Sequence, residues 1–329
     1  MEIDIPWPLL SVILVVVVLL VALALLRFYA YISCGYFKGN ERLEGKSVII
    51  TGGNVGIGKE TAREIARRGA RVILACRNLQ SARQAKDEII ECTKNDNIII
   101  KKLDLCSQKS IREFAQDVIN TEPRLDVLIH NAGIGESKFK KTEDDLEVTM
   151  ATNYFGPFLL THLLIDLMKQ SAPSRIIVLS SVIYQLAFFN INKINPSSAW
   201  WPRYYFVSKY AGICFTLELA RRLKGTKVTA NCLHPGLVYT KIWDALLFLY
   251  PLSYPLKLIM KAFFKDTVQG CQTTVFLACA KEVETVSGKY FVDCAERGLW
   301  CGVKNKSKGK ELWELTEKLV KLEDTDPKI

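Results

Sequence analysis

The sequence predicts an α/β fold in which a doubly wound parallel sheet forms one domain behind an N-terminal transmembrane helix. Short apolar segments alternate with amphipathic helical segments from residue 46 to residue 233, a pattern typical of parallel strands covered by helices on both faces. A glycine-rich turn joins the first predicted strand to the first predicted helix, and an uncharged apolar run precedes both. These three observations together define the fold class.

The N-terminal apolar run is long enough to cross a membrane. Residues 5–26 carry no charge, and residues 9–26 are almost unbroken Leu, Val, Ile and Ala. A helical run of about 20 apolar residues spans the hydrocarbon of a bilayer. A cleaved signal peptide is disfavoured because Glu2 and Asp4 precede the run and no clear small-residue cleavage site follows it. We therefore expect a single-pass signal anchor over residues 1–30.

Charges and cysteines indicate on which side of the membrane the rest of the chain lies. Arg27 and Lys38 follow the apolar run, so the positive-inside rule places the linker at residues 31–45, and everything after it, in the cytosol. The ten cysteines show neither C-x-x-C pairs nor metal-ligand spacing, which fits a reducing compartment and predicts no metal site. The net charge of +10 is not clustered with aromatic residues, so we expect no nucleic-acid partner; it suits an anionic bilayer surface or a phosphorylated cofactor.

The first strand and the glycine turn predict a pyrophosphate site. Residues 46–51 have the apolar character of a buried strand, residues 51–58 (TGGNVGIG) form the turn, and residues 59–68 are helical in pattern. A strand, a glycine turn and a helix in this order direct backbone N–H groups and a helix N-terminus at phosphate. Glycine is required because a side chain would hold the phosphates away.

The second predicted strand, residues 71–76, indicates which dinucleotide is bound. An NAD-binding unit carries an acidic residue near the end of this strand, where it accepts hydrogen bonds from the ribose hydroxyls. Here that place holds Cys76, followed by Arg77. The absence of a carboxylate removes a charge that would repel phosphate, and the guanidinium adds a bidentate phosphate partner. NADP(H) is therefore favoured over NAD(H).

The remaining elements continue the alternation of strands and helices. Strands are predicted at residues 98–103, 126–130, 175–179 and 228–233, and helices at residues 81–92, 110–119, 143–170, 205–223 and 311–322. The helix at 143–170 is interrupted by Asn153 and by Gly156-Pro157. Strand ends of such a sheet line the ligand crevice.

Two segments lie outside this pattern. A long loop is expected between Ser181 and Tyr205, and residues 241–265 form an aromatic and aliphatic stretch interrupted by prolines. That stretch is too broken to be a second membrane span. An oligomer contact, ordinary core and an apolar lid over a substrate pocket all remain open for it.

Tyr205 and Lys209 are the candidate proton-transfer pair. Residues four apart share a helix face, which can bring the phenol beside the ammonium. A nearby positive charge stabilises phenolate and is expected to lower the tyrosine pKa toward neutrality. Such a tyrosine exchanges protons with an alcohol or carbonyl. Tyr204 lacks this relation to Lys209.

Three patterns together resemble the classical short-chain dehydrogenase/reductases: TGxxxGxG at residues 51–58, Asn131-Ala132-Gly133, and Tyr205 followed by Lys209. The resemblance covers about residues 46–299. It narrows to the retinol dehydrogenase branch, with its membrane-bound NADP(H)-dependent retinal reductases. The motifs that narrow it are Ala75-Cys76-Arg77, Arg221-Arg222-Leu223-Lys224-Gly225, His234-Pro235-Gly236 and Gly288-Lys289-Tyr290-Phe291, together with the N-terminal anchor. This resemblance implies a Rossmann-type catalytic domain over residues 46–300, followed by a C-terminal helix and tail over residues 301–329.

The resemblance also implies roles for individual residues. The catalytic tetrad falls on Asn153, Ser181, Tyr205 and Lys209, with Ser181 favoured over Ser180. The implied cofactor contacts are Gly52, Asn54, Gly56, Ile57, Gly58, Arg77, Asp104, Leu105, Asn131, Ala132, Gly133, Tyr205, Lys209, Pro235, Gly236, Val238 and Thr240. His130 replaces the Asn usual before Asn-Ala-Gly, a position that mainly supports the sheet. His162 and His234 are interpreted as structural.

The activity implied is NADP(H)-dependent interconversion of a lipophilic alcohol and its aldehyde or ketone, with retinal and retinol as the leading pair. Steroids, polyprenals or other lipid carbonyls are the alternative substrates, and a catalytically silent cofactor-binding scaffold is the alternative class. The expected partners are a lipophilic substrate and the bilayer, with a homodimer left open. The family places such proteins in the endoplasmic reticulum membrane, facing the cytosol.

Overall fold

The computed structural model describes residues 6–32, 34–136, 138–195, 203–239, 257, 260–261 and 263–329. One sheet of eight strands organises this part of the chain, in the order β3-β2-β1-β4-β5-β6-β7-β8. The strands are β1 Ser47–Thr51, β2 Arg71–Cys76, β3 Ile98–Lys102, β4 Val127–His130, β5 Ser174–Leu179, β6 Val228–His234, β7 Tyr290–Val292 and β8 Ala295–Arg297. All neighbouring pairs are parallel except β7 and β8. The predicted doubly wound parallel fold is confirmed.

Helices cover both faces of the sheet. They are α1 Trp7–Ile32, α2 Gly56–Arg67, α3 Leu79–Thr93, α4 Gln108–Thr121, α5 Val148–Met150, α6 Gly156–Gln170, α7 Arg203–Arg222, α8 Thr267–Cys279 and α9 Lys306–Leu319. A π-helical segment, Ala151–Phe155, joins α5 to α6. One apolar cluster lies between the sheet and α4, α6 and α7, and a second lies between the sheet and α2 and α8.

Several sequence predictions were wrong in detail. The helix expected from residue 143 begins at Val148, because Asp145 takes a left-handed φ of 59° and the Glu147 carboxylate caps the Met150 N–H. The loop expected between residues 181 and 205 contains two 3-10 helices, Val182–Leu186 and Ile191–Lys193. The sequence pattern did not predict α8, β7 or β8. Most of the 241–265 stretch lies outside the described residues.

The apolar N-terminal helix stands away from the domain. Within α1, the span Trp7–Leu25 is long and apolar enough to cross a membrane, and none of it is buried against the rest of the chain. Among the described residues it is the one helix with these properties. A helix that is apolar all round and unburied in the protein is suited to a lipid environment.

The C-terminal helix is an integral part of the core. Trp313 of α9 is almost fully buried, and its ring packs against Phe158, His162 and Phe215. Farther along, Arg112 forms a bidentate ion pair with Asp326, with N–O distances of 2.7 and 2.8 Å. These contacts hold residues 306–329 on the faces of α4, α6 and α7.

Candidate functional site

A cavity of about 640 Å³ opens at the carboxyl ends of the central strands. Its wall is formed by the glycine turn after β1, the end of β2, the residues after β3 and β4, the end of β5, and Tyr205 and Lys209 of α7. In open parallel sheets this edge is where ligands bind. Fourteen of the sequence-predicted cofactor contacts line it: Gly52, Asn54, Gly56, Ile57, Gly58, Arg77, Asp104, Leu105, Asn131, Ala132, Gly133, Tyr205, Lys209 and Pro235.

The glycine turn has the shape that a pyrophosphate requires. Gly52 and Gly56 have left-handed φ values of 67° and 60°, which disfavour other residues. A Cβ at Gly58 would lie 2.3 Å from the Asn131 amide nitrogen and 2.4 Å from the Gly52 carbonyl oxygen, so glycine permits the close packing of α2 on this turn. A Cβ at Gly56 would meet nothing within 4 Å, because the turn faces open space there. The space that the phosphates need is therefore present.

Hydrogen bonds tie the glycine turn to the end of β4. The Thr51 hydroxyl accepts hydrogen bonds from the backbone N–H groups of Asn131 and Ala132, both at 3.0 Å. The Asn131 side chain donates to the carbonyl oxygens of Thr51 and Gly52. Asn131 thus connects the ends of β1 and β4 through hydrogen bonds. This role of Thr51 was not predicted from the sequence, although its position at a strand end next to the glycines indicates one.

The region where an adenosine ribose would lie has no acidic residue at the end of β2. Cys76 is buried, and burial raises its thiol pKa to about 11, so the side chain is neutral. Arg77 is exposed on the cavity wall. The Asp104 carboxylate accepts a hydrogen bond from the Cys106 N–H. The end of β2 thus presents the Arg77 guanidinium, and no carboxylate, to this part of the cavity.

Tyr205 and Lys209 lie together on α7, both deeply buried. The Lys209 ammonium is over the Tyr205 ring, 5.6 Å from its centroid, and donates a hydrogen bond of 2.9 Å to the Leu179 carbonyl oxygen. Burial lowers the Lys209 pKa to about 8 and raises the Tyr205 pKa to about 12. The expected lowering of the tyrosine pKa is therefore absent in this structure, because desolvation of the phenol exceeds any stabilisation of its anion by the ammonium.

Asn153 lies on the π-helical segment and is held on both sides of its amide. Its Oδ1 accepts a 2.8 Å hydrogen bond from the Ile134 N–H, and its Nδ2 donates to the Ile134 carbonyl oxygen and to the Ser208 hydroxyl. The Ser208 hydroxyl donates in turn to the Tyr205 carbonyl oxygen. Asn153 is thus linked to α7 through Ser208, a residue that was not singled out from the sequence. The π-helical turn re-aims residues on an otherwise regular helix.

Ser180 and Ser181, at the end of β5, have different environments. The Ser180 hydroxyl is buried and donates a 2.9 Å hydrogen bond to the Lys209 carbonyl oxygen. Ser181 is only partly buried, and its oxygen caps the following 3-10 helix by accepting from the Ile183 N–H at 3.4 Å. Ser181 lines a second cavity of about 350 Å³ together with Tyr205. Of the two hydroxyls, that of Ser181 is free to donate to a ligand.

The second cavity is largely apolar and is lined mostly by residues that follow β5 and β6. Tyr205, Ser181, Ser180 and Pro235 belong to its wall, which also includes the predicted contacts Gly236 and Val238. Gly236 has a left-handed φ of 90°. Thr240, the remaining predicted contact, lies outside the described residues. Asn153 lines neither cavity, although its neighbour Thr152 lines the first.

The histidines and cysteines form no further site among the described residues. His130 donates to or accepts from the Thr161 hydroxyl at 2.8 Å, and His162 is bonded to the Phe158 carbonyl oxygen. Burial lowers the pKa of His130, His162 and His234 to about 3, 4 and 4, so each is neutral near pH 7. In the part of the chain that the structure describes, no group of three His, Cys, Asp or Glu side chains is placed to hold a metal ion.

A doubly wound parallel sheet with a glycine turn and a buried Tyr–Lys pair on one cavity wall is the arrangement of the short-chain dehydrogenases, and comparison with known proteins shows the family directly. The short chain dehydrogenase family model matches residues 46–247, which is more than half of the chain. The chain belongs to this family. It is therefore an oxidoreductase that acts on CH–OH groups with a nicotinamide cofactor.

Within the family the chain is retinol dehydrogenase-like. It is 43% identical to retinol dehydrogenase 14 of Mus musculus over 290 residues, which cover 84% of this chain and 86% of that protein. It is 40% identical to retinol dehydrogenase 12 of Mus musculus over 294 residues, covering 88% of this chain and 91% of that protein. A solved protein from Escherichia coli CFT073, assigned as a short chain dehydrogenase and complexed with NADPH, is similar with a TM-score of 0.62 and 25% identity, covering 78% of this chain and all of that one.

Proposed function

We propose that this protein is a membrane-anchored, NADP(H)-dependent oxidoreductase that interconverts a lipophilic alcohol and its aldehyde or ketone, with retinal and retinol as the leading pair. One observation carries the proposal: Tyr205 lines both the large cavity at the glycine turn and the apolar cavity beside Ser181. A cofactor in the first cavity and an apolar carbonyl in the second would meet at this residue. The retinol dehydrogenase names of the relatives support a retinoid.

The reaction assigns each side chain a task. The cofactor, when bound, supplies or accepts the hydride. In reduction the Tyr205 hydroxyl donates its proton to the developing alkoxide, and in oxidation the phenolate takes the proton back. Ser181 donates a hydrogen bond to the same oxygen and holds it in place. A high phenol pKa favours the protonated form that reduction needs.

Lys209 and Asn153 act behind the reacting oxygen. The buried Lys209 ammonium lies over the Tyr205 ring and stabilises negative charge that develops on the phenol oxygen. Its position on the cavity wall, near Gly133, supports a role in holding the nicotinamide ribose. Asn153 positions the Ile134 backbone directly, and it positions α7, which carries Tyr205, through Ser208. A water molecule bound to the Asn153 backbone would connect Lys209 to solvent, so that Lys209 can be reprotonated.

NADP(H) is proposed over NAD(H) on the basis of charge. Arg77 is exposed on the wall of the large cavity, and the end of β2 carries no carboxylate. A guanidinium binds a 2′-phosphate through paired, charge-assisted hydrogen bonds. The similar solved protein that contains NADPH supports this choice.

The proposal extends to location and organisation. The helix Trp7–Leu25 would anchor the protein in the endoplasmic reticulum membrane, and Arg27 and Lys38 support a cytosolic position for the catalytic domain. Residues 46–300 would form the catalytic domain, residues 301–329 a C-terminal helix and tail, and residues 241–265 a substrate lid.

The test is NADPH consumption by the full chain, solubilised in detergent, with all-trans-retinal, steroid ketones, polyprenals and long-chain aldehydes offered side by side. We expect retinal to be reduced, and Tyr205→Phe to lower kcat by about 10²-fold or more. Tyr204→Phe is the matched control, since Tyr204 packs in the core cluster and lines neither cavity. Preference for a steroid or polyprenal would transfer the assignment to that substrate. NADPH binding without turnover of any carbonyl would favour a silent scaffold.

A further inference from the structure

Exposed apolar side chains are concentrated at the mouth of the second cavity. Val182, Leu186, Leu237 and Trp300 all line this cavity, and Leu186 and Trp300 are nevertheless 60% and 58% exposed. Phe188, two residues beyond Leu186, is 81% exposed. Single exposed apolar residues are ordinary on a protein surface, but a cluster around one opening marks an interaction site. We call these five residues the apolar rim.

The segment that follows the transmembrane helix is docked beside this opening. The Gly35 backbone packs directly on the Asp293 backbone, and the thiols of Cys34 and Cys294 both lie against the Gly35 carbonyl oxygen. Asp293 forms an ion pair with Lys265. The Lys265 backbone is hydrogen-bonded to Leu237 and Tyr239, at 2.8 and 3.0 Å. A short chain of direct contacts thus connects the end of the anchor with the rim.

Further contacts keep this segment on the domain. The Phe37 ring packs edge-on against Phe276 at 5.7 Å and lies under the Arg68 guanidinium at 4.8 Å. The Phe37 N–H donates to the Gln272 side chain, and Leu43 is buried. The linker predicted at residues 31–45 is therefore fixed to the domain surface from Cys34 onward, and the anchor leaves the domain at one defined point.

The reach of the chain then limits how far the rim can lie from the bilayer. The helix α1 ends at Ile32, and the three residues from there to Gly35 extend at most about 11 Å. Phe28 and Tyr31, in the last turns of α1, are exposed aromatic residues of the kind that sit at the headgroup level. If α1 crosses a bilayer, the domain surface around Asp293 and the neighbouring rim are therefore held close to its face.

We propose that the apolar rim inserts into the cytosolic leaflet crossed by α1, so that a bilayer-dissolved substrate enters the second cavity directly and reaches Tyr205 without crossing water. The inference rests on the membrane anchoring and lipophilic substrate of the proposed function. In this arrangement the apolar rim contacts phospholipid acyl chains.

Bilayer contact is tested by tryptophan quenching, which needs no catalysis. The full chain is reconstituted in nanodiscs of phosphatidylcholine with or without bromine near the headgroup end of the acyl chain. Subtracting the emission spectrum of Trp300→Phe from that of the wild type gives the fluorescence of Trp300 alone, and we expect bromine to quench this fluorescence. Wild type minus Trp313→Phe is the control and should be unquenched, because Trp313 is buried in the core. If the fluorescence of Trp300 is as insensitive to bromine as that of Trp313, the proposal is overturned, whatever the enzyme activity.

Substrate entry is tested with Phe188→Ser, which is outside the cavity wall. In the same nanodiscs, we expect the KM for bilayer-dissolved retinal to rise about 5-fold or more, because one apolar contact with lipid is lost. The kcat/KM for a small water-soluble aldehyde should be unchanged. Ile119→Ser, an equally drastic change at an exposed site on α4, should alter neither value. If a second copy of the chain covered the rim instead, the wild type would elute as a dimer and Phe188→Ser as a monomer in size-exclusion chromatography. That result would contradict the proposal.

Discussion

The Lys209 ammonium lies 5.6 Å from the centre of the Tyr205 ring and is hydrogen-bonded to the Leu179 carbonyl oxygen. A cation that is buried with one neutral acceptor is costly, since its desolvation is only partly offset. Burial lowers the Lys209 pKa to about 8. The residue proposed to support proton transfer is therefore also a site where the fold gives up stability.

This cost predicts that Lys209→Met stabilises the protein near pH 7. Between about pH 8 and the unfolded value near 10.4, the unfolded state binds more protons than the folded state, so wild-type stability rises with pH in that window. Below pH 8 the folded state carries the full penalty. Removing the amine should add about 3 kcal/mol at pH 7 and much less above pH 10. Melting temperatures of the two proteins at both pH values measure this.

Lys209→Arg is the control for that experiment, because it keeps the positive charge and should not stabilise. Both variants are expected to lose catalytic activity, so a gain of stability is not a sign of an intact site. A lower melting temperature for Lys209→Met at pH 7, or an equal gain at both pH values, would contradict the prediction.

The two serines at the end of β5 should separate in their effects. Ser181→Ala removes the hydroxyl that faces the apolar cavity, and we expect kcat to fall about 10²-fold with cofactor affinity unchanged. Ser180→Ala removes the hydrogen bond to the Lys209 carbonyl oxygen and should cost about 1 kcal/mol of stability while kcat stays within a few-fold. Steady-state kinetics and melting temperatures of both variants test this prediction. The reverse pattern would show that Ser180, not Ser181, binds the reacting oxygen.

The cofactor preference should depend on Arg77. Replacing it with Ala removes charge-assisted contacts to a 2′-phosphate, so we expect the KM for NADPH to rise about 10- to 100-fold and that for NADH to change little. Arg83→Ala, on the exposed face of α3, is the matched control and should change neither. If Arg77→Ala affected both cofactors equally, the guanidinium would be a general contact and NADP(H) specificity would need another source.

The sequence was sufficient for the architecture and for the residue types around the cavity. Periodicity located β1 to β6 to within a residue or two, because buried parallel strands are continuous apolar runs. It missed β7 and β8, which are only three residues each and exist through pairing in the sheet. The missed helix α8 did have a signal, since Asp266 and Gln269 form a capping box at its start.

The electrostatics of the site could not be derived from spacing. Four-residue spacing correctly placed Tyr205 and Lys209 on one face, but the shift of the tyrosine pKa has the opposite sign from that expected. Burial determines that sign, and burial depends on how α7 packs against the sheet. The Asn153–Ser208 contact is equally non-local, since 55 residues separate its partners. Side chains that meet only after folding leave no local pattern.

The three histidines of the chain should make the folded protein sensitive to acid. Each is buried, and the pKa values of His130, His162 and His234 are lowered to about 3, 4 and 4. In each ring one nitrogen has no hydrogen-bond partner among the described residues, so a charged imidazole would not be compensated. The unfolded chain takes up these protons near pH 6.5, whereas the folded chain does not.

Stability is therefore fully present above about pH 6.5 and is lost as the pH falls toward 4, because the unfolded state binds more protons throughout that window. By pH 5 each histidine should cost about 2 kcal/mol. We expect the melting temperature to fall steeply between pH 7 and pH 5. In His162→Phe, where the ring keeps its packing between Phe158 and Trp313, the fall should shrink by about a third, since one of three titrating groups is gone. An unchanged pH slope in that variant would mean that His162 is protonated in the folded protein.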